Sequence, residues 1–282
     1  MSKTALALRH VDATRGTFHL RDVTFDLPTG YVMGFVGPNG AGKTTAIRCL
    51  LGMLRPDAGE IELLGRRVPT DPDLLQDVGV VLDHTFFVDD WRLTDVERAL
   101  RPFYGRWDST RYRSLLDGFG LDPAHKVKEL SRGQSMKLMI AVALSHDARL
   151  LVLDEPTSGL DPVARDELVG ILGEFLTAED HSVLFSTHIT TDLERIADYV
   201  TFIRDGQVMA SSTKDDLLDA YRLVRGGPDD LLDPAAPLAG ARRTSTGVEA
   251  LVRTADLTRL EGDLLVEAPT LEQIVVKLGG AR

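Results

Sequence analysis

Apolar and polar positions alternate at the start of the chain. Leu6 and Leu8, then Val23, Phe25 and Leu27, recur at a period of two, the spacing of half-buried strands. Residues 1–30 are therefore expected to form two or three strands with a turn at Thr14–Thr17. Tyr31–Val36 is a short apolar strand that enters a glycine-rich turn, and Thr44–Met53 has helical spacing up to the break at Arg55-Pro56-Asp57. Glu60–Leu64 and Val78–Leu82 are further strand candidates. From Thr85 to His146 the pattern becomes helical, with polar breaks at Asp108–Thr110 and Asp122-Pro123. Leu150–Leu153 is wholly apolar and ends in two carboxylates. Pro162–Leu176 reads as helix, Ser182–Ser186 as strand and Thr191–Ala197 as helix. Tyr199–Ile203 and Gln207–Ser211 flank Asp205-Gly206, a hairpin dipeptide.

Strands alternating with helices predict an α/β fold: a mostly parallel sheet with helices on both faces, antiparallel strands at the N-terminus, and a helical subdomain inserted at about 85–147. Residues 1–213 are expected to form this main domain. The composition then changes. Thr213-Lys214-Asp215-Asp216 resembles a helix cap, Gly226–Gly240 reads as a linker or long loop, Gly247–Arg253 and Asp263–Glu267 as strands, and Thr270–Leu278 as a capped helix. Residues 214–282 are thus expected to be a small α+β appendage.

Composition narrows the classes. Apolar residues at 43% and charged residues at 27% exclude disorder and coiled coil for the whole chain. The 32 basic against 43 acidic residues give a net charge of −11, which argues against a broad nucleic-acid surface. The single cysteine, Cys49, excludes an intrachain disulfide. No apolar run reaches the roughly 18 residues a membrane span needs, and Met1-Ser2-Lys3-Thr4 opens no signal peptide. The expected location is cytoplasmic, with any membrane role exercised through a partner.

The chemistry is concentrated in two motifs. Gly37-Pro38-Asn39-Gly40-Ala41-Gly42-Lys43-Thr44 fits GxxxxGK[ST] between an apolar strand and a helix. Glycines let backbone N–H groups turn inward around phosphates, and the helix N-terminus faces the same anion. Lys43 is expected on the β/γ-phosphates, Thr44 on Mg²⁺, and Thr45 beside them. The fold expected is accordingly a P-loop NTPase core. Asp154 and Glu155 end the apolar run at 150–153, where open parallel sheets bind ligands. Asp154 is a candidate metal residue and Glu155 a candidate general base for water.

Three more segments follow in order: Leu130-Ser131-Arg132-Gly133-Gln134, Ser158-Gly159-Leu160-Asp161, and His188. Taken with the first two, they resemble the ATP-binding subunit of ABC transporters over about residues 4–213. The five-residue segment is similar to that family's LSGGQ signature, with Arg132 in the third position. The resemblance implies an ATPase that needs ATP and Mg²⁺. It implies two head-to-tail copies with two ATP molecules between them, Ser131, Gly133 and Gln134 facing the ATP of the second copy. Asp161 would align the copies and His188 would reach the γ-phosphate. It also implies separate transmembrane permease subunits and a place on the inner face of the cell membrane. Ser158–Arg165 is closer in style to exporters than to importers. Two other classes stay open: a soluble ABC ATPase acting on nucleic acid or the ribosome, and a regulatory module impaired in hydrolysis.

The chain departs from the family pattern twice. Asp83 stands where the family has Gln at the end of a strand, and is read as a candidate Mg²⁺ sensor, with His84 as a weaker candidate. Arg15 stands at the aromatic position that stacks on adenine, where either its guanidinium or Phe18 could serve. Phe86, Phe87, Val88, Trp91 and Leu93 lie where the resemblance places the permease contact. The appendage is read as dimer contact, partner dock or regulator.

Overall fold

A computed structural model describes residues 4–68, 72–227, 238–244, 247–260 and 264–280. The initial alternation becomes an antiparallel pair, β1 (Thr4–Arg15) and β2 (Phe18–Pro28), whose apolar face is buried. β3 (Val32–Val36) is buried along its whole length and leads through the glycine-rich turn into α1 (Lys43–Leu50). β4 (Ala58–Leu63) and the two-residue β5 (Arg66–Arg67) join the hairpin in a sheet of order β2-β1-β4-β5.

β6 (Val78–Val81) precedes the helical insertion of α2 (Leu93–Leu100), α3 (Ser109–Gly118) and α4 (Arg132–Leu144). Then come β7 (Leu150–Asp154), α5 (Pro162–Phe175), β8 (Ser182–Thr187), α6 (Thr190–Ile196), β9 (Tyr199–Arg204) and β10 (Gln207–Thr213). The central sheet has the order β10-β9-β3-β8-β7-β6, parallel throughout except for β10. β3, β7 and β8 are buried at every position, as strands covered on both faces must be. Each fully buried Leu, Val or Phe there contributes about 1.5–3 kcal/mol of hydrophobic transfer.

Residues 85–92, expected to be helical, form irregular turns before α2. The Thr85 hydroxyl accepts from the Phe87 N–H at 3.0 Å, a local bond that competes with helix. Asp90 accepts from Lys128 at 2.7 Å, tying the turn at Asp89–Asp90 down across the chain. Beyond it, α2, α3 and α4 pack around Leu93, Val96, Tyr112, Leu116 and Leu138.

Asp77, only 4% exposed, joins these parts. It pairs with Arg106 beyond α2, with Arg149 before β7 at 3.3 Å, and with Arg66 of β5 at 3.5 Å. Burial raises its pKa, but the Arg106 hydrogen bond and the charges of Arg106 and Arg149 outweigh burial and hold the carboxyl below its usual range.

The remaining elements are α7 (Lys214–Ala220), β11 (Tyr221–Gly226), β12 (Leu238–Thr244), β13 (Gly247–Arg253), β14 (Leu265–Glu267) and α8 (Leu271–Gly280). Their antiparallel sheet has the order β12-β13-β11-β14. The expected linker therefore begins in strand at Gly226 and ends in strand at Leu238–Gly240, and residues 228–237 lie outside the described residues. Leu271 and Ile274 of α8 share one apolar cluster with Leu193 and Val200. The Leu271 N–H donates to Glu194 of α6 at 3.2 Å, and Arg204 donates to the Leu278 carbonyl at 2.6 Å.

Candidate functional site

The turn between β3 and α1 is shaped by what its glycines lack. A Cβ on Gly37 would fall 2.4 Å from the Ile203 carbonyl oxygen. Gly42 has φ 111°, and its bare Cα lets the Phe18 ring and Leu20 close over the turn, each 2.8 Å from where a Cβ would be. Lys43 opens α1 and is 6% exposed. Its ammonium donates to the carbonyls of Gly37 at 2.6 Å and Pro38 at 3.3 Å, and stands 3.0 Å from Glu155 Oε1.

β7 ends in Asp154, and the next residue turns sharply, with Glu155 at φ 52°. A non-glycine residue in this region costs energy and is typical of functional sites. The turn is held by the Glu155 N–H donating to the Ser186 carbonyl at 3.0 Å. Side chains of adjacent strand residues would otherwise point to opposite faces. Glu155 accepts from His188 at 2.7 Å, so Lys43, Glu155 and His188 form one continuous chain of contacts.

Asp154 is fully buried. It accepts from the hydroxyls of Thr44 at 2.8 Å and Ser186 at 2.6 Å. Burial pushes its pKa up, the two hydroxyl bonds pull it back, and the negative charges of Asp83 and Glu155 push it up again; the net shift is upward. A buried carboxylate with hydroxyl partners and, among the described residues, no ion pair, beside a threonine oxygen, is an oxygen-donor set that fits a hard cation sharing its shell with phosphates and water.

Arg15, Phe18, Asn39, Gly40, Ala41, Gly42, Lys43, Thr44, Thr45, Asp83 and Glu155 line one cleft of about 410 Å³, within the range of small-ligand sites. The two departures from the family pattern, Arg15 and Asp83, are both on its wall. Asp83 lies 2.5 Å from the His84 ring nitrogen and is half exposed. Arg15 and Phe18 are both at the rim, and Phe18 also packs on the turn through Gly42.

Ser131, Gly133, Gln134 and Asp161 are not on this cleft. Ser131 caps α4: its hydroxyl accepts from the Gln134 N–H at 3.2 Å, and the Gln134 side chain accepts from the Ser131 N–H at 2.9 Å. Asp161 caps α5, accepting from the Ala164 and Val163 N–H groups at 3.0 and 2.9 Å. The Ala164 bond leads the causes that lower its pKa. The residue that sequence reading missed is Ser186. It lies inside an apolar strand, and only the parallel register that sets Ser186 beside Asp154 reveals it.

Comparison with known proteins follows the same lines. The ABC transporter family profile matches residues 20–158. The chain is 32% identical to the Nod factor export ATP-binding protein I of Rhizobium sp. (strain N33), over 99% of this chain and 98% of that protein. It is 35% identical to the daunorubicin/doxorubicin resistance ATP-binding protein DrrA of Streptomyces peucetius, over 73% of this chain and 64% of that one. Among solved structures, an ATP-binding subunit of an ABC transporter superposes with a TM-score of 0.69 at 28% identity, covering 76% of this chain and 91% of the other. The dimeric post-hydrolysis cassette MJ0796 bound to ADP and Pi shares the fold, with a TM-score of 0.65 at 22% identity, over 74% of this chain and 98% of that one. No described helix is long and apolar enough to cross a membrane. A phosphate-loop cleft backed by two carboxylates, on an α/β sheet with a helical insertion, and a relative matched along nearly its full length give one conclusion: the chain belongs to the ATP-binding proteins of the ABC transporter family.

Proposed function

We propose that this chain is the ATP-hydrolysing subunit of an ABC exporter. Two copies close around two ATP molecules and drive separate transmembrane permease subunits at the inner face of the membrane. The observation that carries hydrolysis is the contact chain Lys43–Glu155–His188 beside the buried Thr44–Asp154 pair. Lys43 and the turn's N–H groups bind the phosphates. Glu155 takes a proton from water as the water oxygen attacks the γ-phosphorus and the bond to ADP breaks, giving ADP and phosphate. His188 holds the Glu155 carboxylate in place and faces the γ-phosphate. Thr44 and Asp154, with Asp83 at the rim, are the residues that would hold Mg²⁺, which supplies positive charge to the phosphates when bound. Ser131, Gly133, Gln134 and Asp161, lying off the cleft, are assigned to the second copy. Export is supported by the relatives whose names denote export or drug resistance.

The test uses Glu155→Gln. The variant is expected to bind ATP, to hydrolyse it about 10² to 10⁴ times more slowly, and to accumulate as a dimer. Used as ATP-loaded bait in gently solubilised cells, it is expected to recover a polytopic membrane protein. Hydrolysis at the parent rate would remove Glu155 from the role of base. Recovery of ribosomal or repair proteins alone would replace the transporter reading.

A further inference from the structure

Arg132 stands where the family's signature has glycine, and its surroundings give that difference a use. It is the first residue of α4 and is exposed, and among the described residues its side chain has no ion pair or hydrogen bond. Its side chain instead lies over Gly159, in the Ser158–Asp161 loop. A Cβ on Gly159 would stand 3.0 Å from Arg132 Cδ, 3.1 Å from Nε and 3.3 Å from Cζ. Gly159 has φ 75° and no side chain, which allows this approach. One residue further on, Leu160 Cδ2 lies 3.5 Å from the corresponding point on Gly133. Deeper along the helices, Lys137 of α4 pairs with Glu167 of α5 at 2.6 Å.

The loop's remaining bonds are local. The Ser158 N–H donates to the Glu155 carbonyl and the Leu160 N–H to the Thr157 carbonyl, both at 3.1 Å, and Arg165 of α5 donates to the Leu160 carbonyl at 3.2 Å. None of these reaches α4. Packing by Arg132 and Leu160 therefore joins the loop to the signature turn.

We infer that Arg132 is a positioning residue that fastens the Ser158–Asp161 loop to the signature turn of the same protomer, so that the two segments move as one. Because the loop continues directly from Glu155, a displacement of the signature turn is passed to the residue that activates water. Glycine at position 132 would leave the contact between the loop and the signature turn to Leu160, with Lys137 reaching Asp161 only through its charge. The inference rests on the proposed dimer, in which the signature turn meets the ATP of the second copy: each protomer's own base then responds to closure on its partner's nucleotide.

The contact is intramolecular, so it is tested first without nucleotide, by hydrogen–deuterium exchange on the full chain. Arg132→Gly is expected to speed exchange of the Ser158–Leu160 amides by about 3- to 10-fold while α4 stays protected. Arg132→Met, which keeps a long stem without charge, is expected to keep most of the protection. Unchanged exchange in Arg132→Gly, equal loosening throughout α4, or a Met variant as loose as the Gly variant would overturn the inference. The second measurement is ATP-driven dimerisation of Glu155→Gln with and without Arg132→Gly, by sedimentation. The ATP concentration for half-dimer is expected to rise about 3- to 10-fold in the double variant, with ATP binding to the monomer unchanged. A dimer with an unaltered ATP requirement refutes the coupling and leaves the dimer standing. No dimer in Glu155→Gln itself, with the loop still loosened by Arg132→Gly, refutes the dimer and leaves the fastening standing.

Discussion

Neutralising the buried carboxylate at the end of β7 should stabilise the protein while disabling it. Among the described residues, the Asp154 carboxylate accepts hydrogen bonds from the hydroxyls of Thr44 and Ser186. Removing a carboxylate from water costs several kcal/mol even after relaxation. Two hydroxyl bonds to a charged acceptor return about 1.5–3 kcal/mol each. Burial, the first cause, together with the nearby charges of Asp83 and Glu155, still leaves the pKa raised, so folding penalises the charged form relative to the unfolded chain. Asparagine removes that charge and keeps one acceptor for a hydroxyl. Asp154→Asn should therefore be more stable by about 1 kcal/mol without metal, or about 3 °C in Tm for a chain of this size. The assay is thermal and urea unfolding of parent and variant in EDTA, repeated with Mg²⁺ and ATP. The parent should gain stability from the ligands by mass action, and the variant much less. A variant that melts below the parent in EDTA would show that the ionised carboxylate is net stabilising, and the reasoning would fail.

Other parts of the molecule give further expectations. Asp77→Asn should cost about 2 kcal/mol at pH 7, discounted for the partial exposure of Arg106 and Arg149. A carboxyl held below its usual range stabilises the fold above its unfolded pKa of about 3.9 and loses that stability as pH falls through the folded value. The gap between Asp77→Asn and parent in urea titrations should thus be full at pH 6–8 and close below about pH 4. Gly37→Ala should destabilise by about 1–3 kcal/mol, since its Cβ would meet a backbone carbonyl, and should weaken ATP binding measured by calorimetry. Asp83→Gln should remove a negative charge from the cleft wall and lower the Mg²⁺ requirement of ATP hydrolysis; an unchanged Mg²⁺ titration would exclude Asp83 from metal sensing.

The local chemistry of the phosphate turn was readable in the sequence because its glycine spacing and apolar flanks follow from backbone sterics alone. The same holds for Asp108 and Thr270, whose capping side chains sit where polar breaks in the pattern suggested. What stayed hidden depends on register and tertiary contact. Ser186 matters because β8 runs parallel to β7 with Ser186 opposite Asp154, a pairing between residues far apart in the chain. β11 was missed because Arg222 and Arg225 interrupt its apolar positions and it follows α7 without a turn residue. Arg225 is accommodated by Glu249 and Glu267 on neighbouring strands, which no local pattern announces. Residues 85–92 misled for the opposite reason: their apolar spacing is helical, but Thr85 and Asp90 bind locally or across to Lys128.

The position of β3 also bears on how the protein is made. Val32–Val36 carries the phosphate turn, yet its strand neighbours on the two sides are β8 and β9, the first of them about 150 residues downstream. At a synthesis rate of about 5–20 residues per second, this apolar strand waits roughly 8 to 30 s after emerging before its first partner exists. Throughout that interval the glycine turn lacks the two strands that flank β3 in the finished sheet. The nascent chain presents two bare strand edges and an apolar surface to the ribosome exit and to holdase chaperones, and a ribosome paused within β8 would prolong the interval in which the strand can pair with the wrong chain.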